Sequence, residues 1–221
     1  MYTLCEQDKL ANLLFMASYG RQGAETAERL MKRFGSFANV FAAGRGALER
    51  CGLTESQAAL ILSLRFMARR CALERFGRSP DLGSRGALEE YIRALYVGVR
   101  NERFILLCLN GQDRLIESRT LADGTLRGLR VHPRTLFESV VQTGASRVVF
   151  CHNHPGGKVA FSHADIRSTR VFWAQLNAIG VTLVDHMLCA GEVVVSMRET
   201  CRLDGTFYLP PRPQAPSARP G

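Results

Sequence analysis

The sequence predicts an α/β (α+β) protein in three parts: a helical region over residues 1–80, a mixed sheet flanked by helices over 81–205, and a disordered tail over 206–221. Three observations carry this. Apolar residues recur at helical spacing through residues 5–80. Beyond that, short runs of strand formers alternate with helical patterns and turn signals. Finally, five of the eight prolines fall within YLPPRPQAPSARPG, from Tyr208 onward, which cannot build a core.

The elements follow in order. Leu10, Leu13 and Leu14 mark a first helix, and Ala27, Leu30, Met31 and Phe34 a second, with Gly20 and Gly23 between them. Gly35-Ser36 and Gly44 to Gly46 are further breaks. A longer helix starts at Thr54, where Thr54-Glu55-Ser56-Gln57 has the form of a capping box, and runs towards Leu73. Arg78 to Gly86 is polar and holds Pro80, Gly83 and Gly86, so it reads as a linker. Leu88 to Val97 is helical. Arg103 to Leu109 is a strand that ends at the Asn110-Gly111 turn. Leu115 to Leu121 and Thr125 to Val131 read as two more strands. Pro133 opens a helix through Val141, and Arg147 to Cys151 is a short buried strand. Ser162 to Leu176 is helical, and Val181 to Cys189 and Val193 to Met197 close the set as strands.

Composition bounds the function. Apolar residues make up 46% and charged residues 22%, which excludes collagen-like, wholly disordered and disulfide-miniprotein classes. No apolar run is long enough for a membrane span, and Met1 to Leu14 does not read as a secretory signal. Seven cysteines without a CxxC pair read as small buried hydrophobes in a reducing cytoplasm. The net charge is +9, almost all of it arginine. That charge fits a nucleic-acid partner, or a coding bias towards arginine, and it is spread evenly along the chain.

The chemistry concentrates in residues 151–165, CHNHPGGKVAFSHAD. If the preceding strand continues, alternation puts His152 and His154 on one face and Asn153 on the other. Pro155-Gly156-Gly157 turns the chain, Ser162 starts a helix, and Asp165 stands on its first turn. Two imidazoles and a carboxylate suit Zn²⁺, one per chain, with a water in the fourth position. Such a site also needs a base and an oxyanion donor, and Ser162 is placed to donate. The competing reading is a polar loop, with Ser162 and Asp165 as a plain helix cap. His163 reads as a solvated helix residue, and His132 and His186 as structural hydrogen-bonding groups.

His-x-His-Pro, six residues, then Ser-x-x-Asp resembles the JAMM (MPN-plus) metalloprotease motif. Val131-His132-Pro133-Arg134, Cys-His-Asn-His-Pro-Gly-Gly and Val184-Asp185-His186 with Gly191 narrow the resemblance to the bacterial RadC family over about residues 88–202. The resemblance implies a JAMM/cytidine-deaminase-like mixed sheet. It implies His152, His154 and Asp165 as metal ligands, Ser162 as the group stabilising the tetrahedral intermediate, and Glu102 as general base. Nothing in the sequence itself brings Glu102 near the metal; its competing reading is a strand-edge charge paired with an arginine. Where such proteins usually read Ser-Gly-Asp-Pro-Thr-Pro, this chain has Gly156 to Phe161, so the loop is expected to be more flexible.

Gly52-Leu53-Thr54 resembles half of a helix-hairpin-helix, which offers backbone N–H groups to DNA phosphates. Gly52, Arg65 and Arg69 are the candidate DNA contacts, with Arg70 and Arg75 extending a basic face. The reading is therefore a zinc-dependent hydrolase, a metallopeptidase or isopeptidase whose metal-bound water attacks a carbonyl of a peptide or protein substrate. The alternative is a DNA-associated repair or recombination accessory protein with a structural or vestigial metal site. A nuclease is a third, less attractive with one metal.

Overall fold

The computed structural model describes residues 11–13, 23–124 and 131–200. Two compact units divide the chain: Met1–Arg75 with Val97–Arg100, and Phe76–Tyr96 with Asn101–Gly221. The first holds helices α1 (Gly23–Phe34), α2 (Phe37–Ala42), α3 (Arg45–Glu49) and α4 (Glu55–Glu74). Gly35 ends α1 at φ +79°, a left-handed backbone that an L side chain resists. Thr54 opens α4 with the expected box: its hydroxyl accepts the Gln57 N–H at 3.3 Å, and the Gln57 side chain accepts the Thr54 N–H at 2.9 Å. Ala27, Leu30, Val40, Leu48, Ala58 and Ile61 form the core between these helices.

The expected single basic face on α4 does not form. At about 100° per residue, Arg65, Arg69, Arg70 and Arg75 spread over roughly 220° of the circumference. Arg65 is half-buried; its guanidinium donates to the Phe41 carbonyl at 3.4 Å. Burial and the neighbouring Arg100 lower its pKa. Arg70 pairs with Glu74 one turn on, and Arg69 lies over the Phe66 ring at 6.0 Å. Gly52 sits at φ +91° between α3 and α4, where a Cβ would lie 3.1 Å from the Arg29 guanidinium.

The second unit carries α5 (Arg85–Tyr96), β1 (Glu102–Leu109), β2 (Leu115–Gly124), α6 (Pro133–Thr143), β3 (Arg147–Asn153), α7 (His163–Ala178), β4 (Thr182–Ala190), β5 (Val193–Ser196) and α8 (Met197–Thr200). Among the described residues its five strands run in the order β2-β1-β3-β4-β5. Only β3 and β4 are parallel, joined by the α7 crossover, so the sheet is mixed and flanked by helices as expected. On one face Phe104, Leu106, Cys108, Val148 and Phe150 pack against Leu136 and Val140 of α6 and Phe172 and Leu176 of α7. The alternate residues Ile105, Leu107, Val149 and Cys151 are buried as well, so β1 and β3 are covered on both sides. No helix among the described residues is long and apolar enough to cross a membrane.

Three details differ from the sequence reading. Arg78–Gly86 is a fastening, not a linker: Asp81 bridges Arg114, the Pro80 carbonyl accepts the Leu115 N–H at 2.9 Å, and Leu82 is fully buried. One buried leucine and two backbone bonds outweigh the polar composition of that run. The strand expected to end at Leu121 continues to Gly124; of the next expected strand, residues 125–130 lie outside the described ones, as do the tail and the start of the first helix. Among the cysteines, Cys108, Cys151 and Cys189 are buried, but Cys51 is only half-buried and Cys71 is exposed, while Cys5 and Cys201 lie outside the described residues.

Candidate metal centre

β3 does continue past Cys151, to Asn153, and this aims the two histidines together. The Nε2 atoms of His152 and His154 lie 3.2 Å apart. Ser162 caps α7, whose first turn carries Asp165, with its Oδ2 3.8 Å from His152 Nε2. One ligand atom from each of His152, His154 and Asp165 falls within a 4.8 Å cluster. His152 is buried, whereas His154 and Asp165 are half-buried and open to a cavity of about 340 Å³.

The protons show what this cluster is fit for. Nδ1 of His154 stands 2.8 Å from the Lys158 carbonyl oxygen, which can only accept. The ring therefore carries its proton on Nδ1 and turns the bare Nε2 lone pair towards His152. Nδ1 of His152 meets His186 Nε2 at 2.8 Å, and His186 Nδ1 meets the Thr169 hydroxyl at 2.6 Å. That hydroxyl also lies 2.7 Å from the Asp165 carbonyl oxygen. When Thr169 donates to Asp165, His186 donates to Thr169 and His152 donates to His186. His152 Nε2 is then bare as well. Two bare nitrogens and a carboxylate facing one point are a donor set for a cation of the zinc type, with each ligand ring oriented by its other nitrogen. Burial lowers the His152 pKa to about 4 and holds His186 well below the ordinary imidazole value, so both stay neutral and His152 keeps a lone pair for a cation.

Glu102 reaches the same cavity, whose wall also includes Ser162 and Lys158. The sheet register explains it. Phe104 pairs with His152 across antiparallel β1 and β3, and Glu102, two residues before Phe104 on β1, lies on the same face. The competing reading of Glu102, a strand-edge charge paired with an arginine, is not met: the neighbouring Arg103 pairs with Asp123 on β2 at 2.5 Å, and Glu102 makes no ion pair among the described residues. Ser162 is a full helix cap, the alternative weighed for it. Its N–H and hydroxyl both donate to Asp165 Oδ2 at 2.7 Å, and its oxygen accepts the Asp165 N–H at 3.1 Å. The cap and the cavity wall are thus one residue, and the cap orients the Asp165 carboxylate.

Sequence reading missed three supports. Asn153 is buried behind the histidines, and its side chain bonds the main chain at Asn101 and Arg103. Thr169 stands one helical turn after Asp165, a spacing that could have revealed it. Phe161, where the resemblance expects proline, places its ring 5.7 Å from that of His152 and 5.4 Å from that of His186. His186 bears out its hydrogen-bonding role. His132 does not: it is exposed at the start of α6 and makes no capping bond. His163 is exposed, as expected. Gly52, Arg65 and Arg69 belong to the first unit, as described above.

Comparison with known proteins agrees with this geometry. Residues 82–203 match the RadC-like JAB domain. A UPF0758 protein of Cupriavidus necator is 31% identical over 204 residues, covering 91% of this chain and 90% of that protein. A UPF0758 protein of Cupriavidus taiwanensis is 32% identical with the same coverage. One from Rubrobacter xylanophilus is 29% identical, covering 89% of this chain and 86% of its own length. With more than half of its length matched, and with the mixed sheet and the His-His-Asp cluster in place, the chain belongs to the RadC family and carries its JAB domain.

Proposed function

We propose that this protein is a zinc-dependent hydrolase of the JAMM type, a metallopeptidase or isopeptidase acting on a peptide or protein. The observation that carries this is one open cavity whose wall joins the His152, His154 and Asp165 cluster to Glu102 and Ser162. When bound, zinc supplies Lewis-acid polarisation and a water that ionises near neutral pH. The chain supplies the rest. The Glu102 carboxylate takes a proton from the attacking water and returns it to the leaving nitrogen. The Ser162 hydroxyl proton, held by Asp165 Oδ2 here, turns to the oxygen that gains negative charge, while the Ser162 N–H keeps its bond to Asp165. Asn153 and the β1–β3 register hold Glu102 at the cavity, and the α7 cap holds Asp165. Three buried free thiols among the described residues fit a cytoplasmic setting.

The test is Glu102→Gln. Peptide hydrolysis falls about 100- to 10,000-fold while one zinc per chain remains bound. Undiminished hydrolysis removes Glu102 as the base.

One observation favours the alternative, a DNA-associated accessory protein: at Gly52 a left-handed turn leads into the N-terminus of α4 with the Arg29 guanidinium beside it. That reading expects salt-sensitive DNA affinity that survives loss of His152 and His154.

A further inference from the structure

A second cavity of about 280 Å³ opens beside the first. Phe104, Phe150, Phe172 and Val131 make its apolar wall, and Ser168 lies along α7 at its side. The two cavities share His152, Ala164 and Asp165. They differ in character. The first carries Glu102, Lys158 and Ser162; the second has Ser168 and Thr169 along α7, and His152 and Asp165, both members of the metal cluster, are its only ionisable residues among those described.

Resting on the metal-hydrolase reading above, we infer that the apolar cavity is a substrate subsite for one aromatic or large aliphatic side chain next to the bond being cut. Its size is just below the range of whole-ligand pockets, which suits a single side chain rather than a complete small molecule. Apart from the metal cluster, its described walls offer a charge only the Ser168 and Thr169 hydroxyls, both already bonded to the Asp165 carbonyl oxygen, so burying an unpaired ammonium or carboxylate there is costly. Its junction with the polar cavity at His152 and Asp165 fixes the order of binding groups: the reacting carbonyl at the shared edge, the main chain towards Glu102, and the side chain between the sheet and α7. The preferred substrate is therefore a peptide with a bulky apolar residue at the cleavage point.

Three hydroxamates differing only in the attached chain test this on the zinc-loaded full-length protein by titration calorimetry. They are acetohydroxamate, 3-phenylpropionohydroxamate and 6-aminohexanohydroxamate. The phenyl compound is expected to bind at least about tenfold more tightly than acetohydroxamate, and the cationic one no more tightly. Ser168→Phe, at an exposed helical position, fills the cavity and brings the phenyl and methyl compounds within about twofold of each other. Zinc-dependent binding of all three with equal affinity overturns the subsite and leaves the metal centre standing. No zinc-dependent binding of any of them overturns the metal reading, and the subsite with it.

Discussion

Asn153 grips the main chain on both sides of Glu102. Its side-chain oxygen accepts the Arg103 N–H at 2.8 Å, and its amide donates to the Asn101 carbonyl at 3.1 Å. The residue between the two histidines thus points away from them and fixes the carboxylate that faces them. Asn153→Leu keeps the volume but leaves two main-chain groups without partners, which lowers stability by about 1–3 kcal/mol. Hydrolysis falls about 10- to 100-fold as Glu102 loses its position, while zinc stoichiometry is unchanged. Parallel assays of turnover and zinc content check this; loss of zinc along with activity would mean that Asn153 serves the ligands instead.

Thr169 closes the hydrogen-bond chain that orients His152. Thr169→Val removes the acceptor for the His186 N–H with little change in shape, so zinc affinity falls about 10- to 100-fold. Thr169→Ser restores it. Competition with a chromogenic chelator measures both, and equal affinity in all three proteins contradicts the chain.

The zinc-free protein carries a pH signature. Burial lowers the His152 pKa to about 4 and holds His186 well below the ordinary imidazole value, whereas an unfolded imidazole titrates near about 6.5. As pH falls below the unfolded value, the unfolded state binds protons that the fold does not. Stability is therefore full above about pH 6.5 and is lost towards pH 4, by up to about 1.4 kcal/mol per pH unit for each imidazole. Urea unfolding between pH 6.5 and 5 reads this slope, and His186→Gln shallows it. A flat wild-type profile contradicts the burial of these rings in neutral form.

What was legible in the sequence was local. Strand alternation put His152 and His154 on one face, and the Ser162–Asp165 spacing marked a helix start, because both are set within a few residues. What was not legible depends on long-range pairing. Glu102 reaches the cluster only through the register that sets Phe104 against His152, and a shift of one residue would turn it to the opposite face. His186 reaches His152 because β4 lies parallel beside β3, and that neighbour relation is made by the α7 crossover. The Pro80–Leu82 fastening was missed for the same reason: its partners, Asp113 to Leu115, come after α5 and β1 along the chain.

The most direct measurement is the metal content of protein purified without a histidine tag, beside His152→Ala and Asp165→Ala. About one zinc per chain in the wild type, lost in both variants while circular dichroism shows the fold intact, is the expected result. A wild-type protein that holds no zinc even after zinc is added at neutral pH would contradict the metal centre, and with it the hydrolase.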